Sequence, residues 1–160
     1  MTPAILYGTA WKEDATESLV YGALATGFRG IDTANQRKHY FEEAVGRGLQ
    51  RAFREGIAAR ADVWLQTKFT FRDGQDHRLP YDERAPIAEQ VAQSFASSLA
   101  HLDVDTLDSL VLHGPSQRDG LGDDDVEAWR AMEGLAQAGK VAALGVSNCT
   151  ARRDSFSMRI

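Results

Sequence analysis

The sequence predicts a parallel α/β fold, and three observations carry that prediction. Short apolar runs that stop on a glycine or a polar residue alternate with longer stretches whose apolar residues recur every three or four positions. The alternation repeats four times and finishes on a fifth apolar run. The repeating units are roughly 25 to 45 residues long, which fits either a doubly wound sheet or a (β/α) barrel. Helices between consecutive strands imply parallel pairing through right-handed crossovers.

The first strand is expected over Ala4 to Gly8, where an apolar run stops at glycine, and its exit carries Thr9, Ala10 and Trp11. Glu13, Asp14 and the Thr16 hydroxyl suit a helix start; Leu19, Val20, Ala23 and Leu24 form its face, and Gly27 suits its stop. The second strand covers about Arg29 to Asp32. The second helix is expected from near Tyr40 to near Gly56, with Val45, Leu49, Ala52 and Phe53 on one face. Val63 to Lys68 reads as the third strand, rich in β-branched and aromatic residues. A long polar loop from Arg72 to Asp82 follows, and its length suits a binding loop. The third helix runs from Pro86, suited to a first turn, to Leu102, along Ile87, Val91, Phe95, Ser98, Leu99 and Leu102. The fourth strand is Leu107 to Leu112, and it ends on His113-Gly114-Pro115. Asp123-Asp124-Asp125 places negative charge where a fourth helix begins, with Val126, Trp129, Met132 and Leu135 or Ala136 facing inward. The fifth strand, Val141 to Val146, exits at Ser147-Asn148.

Composition narrows the function classes. At 160 residues the chain has the size of one domain, with 43% hydrophobic and 26% charged residues. A formal net charge of -5 argues against a nucleic-acid or anionic-membrane surface; Arg37-Lys38-His39 and Arg152-Arg153 are too short to make a basic footprint. The single Cys149 allows no internal disulfide and points to a reducing cytoplasm. Met1-Thr2-Pro3 leads into no signal peptide, and no apolar run approaches the roughly 18 residues of a membrane span.

The five strand exits carry Thr9 with Trp11, Asp32 with Tyr40, Lys68, His113, and Ser147 with Asn148. In a (β/α) barrel all of these share the face where active sites lie. Each residue alone has a plainer use. Asp32 could cap a loop, Tyr40 anchor a helix start, Lys68 end a strand in solvent, and His113 sit in a turn; Ser147-Asn148 could be an N-cap. Together they suit proton transfer. A phenol with an ordinary pKa near 10 is a weak acid at neutral pH. A neighbouring ammonium would lower that value, a carboxylate would hold the ammonium, and an imidazole would orient a carbonyl oxygen.

At these residues the sequence resembles the aldo-keto reductase family. The matching stretches are Gly8-Thr9, Gly27-Phe28-Arg29-Gly30-Ile31-Asp32-Thr33-Ala34, Glu42-Glu43-Ala44-Val45-Gly46, and Thr67-Lys68. They continue with Ser98-Leu99 to Leu107-Asp108, Leu112-His113-Gly114-Pro115, and Gly139-Lys140 to Gly145-Val146-Ser147-Asn148. The resemblance implies a (β/α)8 barrel of the TIM type that reduces aldehydes or ketones with NADPH or NADH. By position, Tyr40 would be the general acid, Lys68 and Asp32 its pKa tuners, and His113 the carbonyl orienter. Ser147 and Asn148 would bind the nicotinamide carboxamide, Thr9 and Asp32 would line the ribose, and Trp11 would wall the substrate pocket with Tyr40 and His113. The partner implied is a small carbonyl compound.

Two departures from the family pattern set further expectations. The family places its tyrosine about five residues after the aspartate, where this chain has Arg37, so Asn35 to His39 is expected to hold a local insertion that carries Tyr40 to the site. The family also continues for three more strands, whereas residues 149–160 resemble neither the expected next helix nor a strand. Residues 1–148 therefore read as the N-terminal portion of the barrel, with five parallel strands and four helices, and 149–160 as an atypical tail of a truncated or frame-shifted chain. Five strands do not close a barrel that takes about 250 residues, so open strand edges prone to self-association are expected. The alternative reading is a non-catalytic remnant of such an enzyme. A different parallel α/β enzyme, such as a phosphate-binding barrel, is a third; no G-x-G-x-x-G or P-loop glycine pattern follows any strand.

Overall fold

The computed structural model describes residues 3–117 and 120–149. Its elements follow the expected alternation: β1 (Tyr7–Gly8), α1 (Thr16–Ala25), β2 (Gly30–Asp32), α2 (Glu42–Arg54), β3 (Trp64–Phe69), α3 (Ile87–Leu102), β4 (Leu107–Leu112), α4 (Asp123–Gln137) and β5 (Val141–Val146). All pairings are parallel, and the strand order is β1-β2-β3-β4-β5. That order decides between the two sheet types the sequence left open. A doubly wound sheet reverses its strand order at a switch point, whereas right-handed crossovers between neighbours in strict sequence keep every helix on one face, as in a barrel wall. Within the described residues the sheet is open, with β1 and β5 at its edges.

The two sheet faces carry different residues. Leu65 and Phe69 of β3, Ile31 of β2 and Leu110 and Leu112 of β4 join the core with Val20, Leu24, Val45, Leu49, Val91, Phe95, Ala128 and Met132 of the helices. Each fully buried side chain of this kind contributes roughly 1.5–3 kcal/mol, so this layer supplies most of the drive to fold. On the opposite face the register lines up Gly8, Asp32, Gln66, Ser109 and Ala143 in one row across all five strands. Two glycines let the helices close up. A Cβ on Gly46 would lie 2.0 Å from the His101 carbonyl oxygen at the end of α3, and one on Gly48 would lie 2.7 Å from the Glu17 carbonyl of α1. Gly46 of the Glu42 to Gly46 stretch is thus a helix-packing residue.

Several boundaries and faces differ from expectation. The first strand is two residues, not five, because β2 offers only three residues and just Tyr7 and Gly8 find partners on it; Ile5 is exposed. The second helix starts at Glu42 instead of near Tyr40, since the Gln36 carbonyl accepts both the His39 and Tyr40 N–H groups in a turn. Leu19 and Val126, expected on inward faces, are 41% and 44% exposed; Thr16 and Ala128 occupy the buried stripes. The third helix ends on Asp103 in the left-handed region (φ 55°), a stop that carries no glycine. The polar loop after β3 holds a 3-10 turn over Arg72–Gly74 and is tied inward, with the Tyr81 hydroxyl donating to the Thr70 carbonyl at 2.8 Å. Burial pushes the Tyr81 phenol up to about 12. The tail expected over 149–160 lies outside the described residues apart from Cys149, which is exposed.

Candidate active site

The strand exits converge as a barrel face requires. Lys68 projects from the C-terminal end of β3, its side chain only 8% exposed. Its Nζ donates to Asp32 Oδ1 at 2.6 Å and to the Thr33 carbonyl at 2.7 Å. Burial pulls the ammonium below its ordinary pKa, while the Asp32 charge and hydrogen bond, and the charge of Glu42, act the other way. The same Asp32 oxygen accepts Gln66 Nε2 at 2.8 Å, and Ser109 Oγ donates to Gln66 Oε1 at 2.8 Å. The row Asp32, Gln66, Ser109 is therefore a hydrogen-bonded chain along the sheet face, with the Gln66 amide oriented at both ends.

Tyr40 sits beside this pair. Lys68 Nζ lies 5.0 Å from the centroid of its ring, and the His113 ring packs edge-on at 5.9 Å. The expected lowering of the Tyr40 pKa is corrected by the structure. Burial first and the Asp32 charge second hold the phenol above its ordinary value. Arg37, five residues after Asp32, stacks on the Phe41 ring at 4.0 Å and pairs with Glu13 at 3.6 Å. The turn over Gln36 to Tyr40 thus presents the tyrosine to the cleft and commits the arginine to Phe41 and Glu13.

His113 follows β4, its N–H bonded to the Phe69 carbonyl at 2.9 Å. Burial and the Lys68 charge push its imidazole down to about 4, so the ring is neutral at pH 7. Its Nδ1 lies 2.8 Å from the Thr70 hydroxyl. Ser147 and Asn148 both reach the His113 carbonyl, with Oγ at 2.7 Å and Nδ2 at 2.6 Å, and Asn148 sits in left-handed backbone with φ 55°. Thr9 is fully buried, and its N–H and hydroxyl both go to the Asp32 carbonyl at 3.0 and 2.9 Å. It clamps β1 to β2 and turns no hydroxyl toward the cleft.

A cleft of about 330 Å³ opens over these residues, lined by Trp11, His39, Tyr40, Thr70, His113 and Asn148 among others. Trp11 is 68% exposed and has φ 61°; its N–H bonds the His39 carbonyl at 2.8 Å and its ring stacks on the His39 ring at 3.9 Å. Sequence reasoning missed His39, Thr70, Gln66 and Ser109. The signal for Gln66 and Thr70 was present: together with Lys68 they alternate along β3 on one face, the period of a half-polar strand. Ser109 and His39 become visible only through strand register and the path of the turn.

A phenol and a neutral imidazole lining one cleft, with an ammonium–carboxylate pair beside the phenol ring, can bind and protonate a polarised oxygen. The family model described as the Aldo/keto reductase family matches residues 3–154. The chain belongs to this family. It is 32% identical to an aldo-keto reductase of Bombyx mori, an alignment that covers 90% of this chain and 44% of the relative. It is 34% identical to the glyoxal reductase of Bacillus subtilis, over 84% of this chain and 40% of the relative. Among solved structures, an aldo/keto reductase from Brucella melitensis superposes with a TM-score of 0.72 at 33% identity, covering 92% of this chain and 50% of that one. The Bombyx mori aldo-keto reductase in complex with NADP superposes with a TM-score of 0.70 at 26% identity, covering 91% and 46%. The chain spans about half the length of the curated relatives it matches. Its five parallel strands and the helices between them match about half of the Brucella melitensis aldo/keto reductase chain.

Proposed function

We propose that this chain carries the acid side of an NAD(P)H-dependent carbonyl reductase, with Tyr40 as the proton donor to a small aldehyde or ketone. The observation that supports it most is that Tyr40 and His113 line one cleft with the Lys68–Asp32 pair packed behind the tyrosine, Lys68 Nζ lying 2.6 Å from Asp32 and 5.0 Å from the Tyr40 ring centroid. His113, neutral at pH 7, donates a hydrogen bond that orients the carbonyl oxygen. Trp11, stacked on His39, forms the apolar wall of the substrate side. NADPH or NADH, when bound, would supply a hydride to the carbonyl carbon. The oxygen then takes the Tyr40 proton and the product alcohol leaves; the phenolate regains its proton from water. The raised Tyr40 pKa does not block this step, because an alkoxide is a far stronger base than a phenolate. Asp32 with Gln66 behind it holds the Lys68 ammonium 5.0 Å from the Tyr40 ring centroid.

The side chains at the exit of β5 fit a nicotinamide carboxamide in their donor set. Asn148 lines the cleft with its Nδ2 on the His113 carbonyl, which leaves Oδ1 as an acceptor, and Ser147 holds the same carbonyl. Thr9 we assign to holding the Asp32 main chain. Asp32 itself, partly exposed beside the cleft, stays on the ribose side of the proposed site. A cytoplasmic setting suits the free thiol of Cys149.

Titration of NADPH and NADH followed by nicotinamide fluorescence, then reduction of a reactive aromatic aldehyde, tests the reading. Removing the acid with Tyr40→Phe should lower turnover by about 10²–10⁴-fold. No binding of either cofactor at millimolar concentration, or turnover unchanged in the variant, would sink it. The second reading, a non-catalytic chain that associates through its sheet edges, is favoured by the unpaired edges of β1 and β5 and the exposed Val146 and Ile5. Sedimentation velocity separates the two: a monomer that binds cofactor supports the first, a cofactor-blind oligomer the second.

A further inference from the structure

Thr70 is the one side chain seen to hydrogen-bond the His113 ring among the described residues. It follows β3 on the same sheet face as Lys68 and is buried, with its hydroxyl 2.8 Å from Nδ1. Its backbone carbonyl accepts the Tyr81 hydroxyl at 2.8 Å and Gln75 Nε2 at 3.3 Å, so the main chain here is anchored from the following loop. The side-chain rotamer is held as well. Gly74 approaches so closely that a Cβ there would lie 2.6 Å from the Thr70 methyl, and the Gly74 carbonyl is itself bound by Gln36 Nε2 at 2.6 Å. With the methyl against Gly74, the hydroxyl faces the imidazole.

We propose that Thr70 is a positioning residue: its hydroxyl donates to His113 Nδ1, fixes the proton on Nε2, and so makes the edge of the ring that faces the cleft a hydrogen-bond donor. A neutral imidazole has one donor and one acceptor nitrogen. A backbone carbonyl at Nδ1 would only accept, forcing the proton onto Nδ1 and leaving Nε2 a lone pair that repels a carbonyl oxygen. A hydroxyl can donate as well as accept, and here the loop after β3 holds it 2.8 Å from Nδ1. The direction of this hydrogen bond and the use of Nε2–H rest on the carbonyl-reductase reading above; the Thr70–His113 contact itself does not.

The test is long-range ¹H–¹⁵N correlation of histidine-labelled protein at pH 7, which distinguishes the two tautomers directly, with the His113 signals assigned by their loss in His113→Asn. The wild type should show the Nε2–H form. Thr70→Val, which keeps the shape and removes the hydroxyl, should shift His113 toward a mixture of tautomers, and Thr70→Ser should restore it. If the wild type turns over, Thr70→Val should lower kcat about tenfold, the worth of one neutral hydrogen bond, with cofactor affinity unchanged. An Nδ1–H wild type overturns the proposal before any variant is made, and so does a folded Thr70→Val with unmoved His113 signals. Absence of turnover in a wild type of the Nε2–H form would instead count against the reductase reading alone.

Discussion

Replacing Asp32 with asparagine isolates the charge that holds Lys68, because the amide oxygen can still accept from Lys68 Nζ and Gln66 Nε2 at 2.6 and 2.8 Å. Breaking a buried ion pair by removing one partner costs about 3–5 kcal/mol, since the remaining charge is left in a poorly solvated site. Two features of this site lower that figure. The Asp32 side chain is 20% exposed, and the carbonyl of Thr33 stays on the ammonium at 2.7 Å. The expected loss is therefore about 2–3 kcal/mol at neutral pH, comparable to the roughly 4 kcal/mol that two unit charges 4 Å apart exchange near a protein surface. The sign of its pH dependence follows from Lys68, whose folded pKa is already depressed by burial and falls further without the carboxylate. A depressed base contributes stability above its unfolded pKa and loses it as pH falls through the folded one, so the variant's deficit is full at pH 7 and narrows as pH rises toward about 10. Urea unfolding across that range, with ¹³C NMR titration of the Lys68 Cε, measures both effects. A variant within about 0.5 kcal/mol of the wild type, with Lys68 titrating unchanged, would refute the view that Asp32 keeps Lys68 charged.

Gly46→Ala should cost about 3 kcal/mol or more in urea unfolding, since its Cβ would meet the backbone of α3 at 2.0 Å and no flexible side chain can yield. Gly134→Ala, on the open side of α4 with nothing within 4 Å, should instead stabilise by about 0.5–1 kcal/mol, and a loss there would contradict the helix assignment. His113 protonates near pH 4 in the fold against 6.5 when unfolded, so its contribution is present above pH 6.5 and is lost as pH falls through 4. Between pH 7 and 4 the wild type should lose on the order of 2–3 kcal/mol relative to His113→Gln, and parallel pH profiles would refute the burial of the ring.

The elements whose signals are local were legible in the chain. β4 and β5 carry the expected boundaries, and α3 differs only in beginning at Ile87 with Pro86 just ahead of it. A continuous apolar run between turn residues leaves a parallel strand little choice, and a repeat of three and four residues leaves a helix little choice. The weaker readings share a cause. β1 is short because its length depends on what β2 offers, and Leu19 and Val126 are exposed because the neighbour that covers a helix face is set by packing. Asp103 in place of a glycine stop likewise follows from the Val104 N–H closing on the Leu99 carbonyl, which holds the chain end in place.

The sequence by itself determined that Asp32, Lys68 and His113 leave consecutive parallel strands at one end, because residue type and strand phase are local properties. The sequence also named Tyr40, through an expected insertion over Asn35 to His39. Only the tertiary structure decided how it arrives: the turn closed on the Gln36 carbonyl brings the tyrosine to the cleft while Phe41 and Glu13 take Arg37. The tie from Thr9 to the Asp32 carbonyl, the Asp32-Gln66-Ser109 row and the Thr70 contact to His113 were equally out of reach from one sequence. Each joins residues 23 or more positions apart through strand register, and register is a property of the assembled sheet.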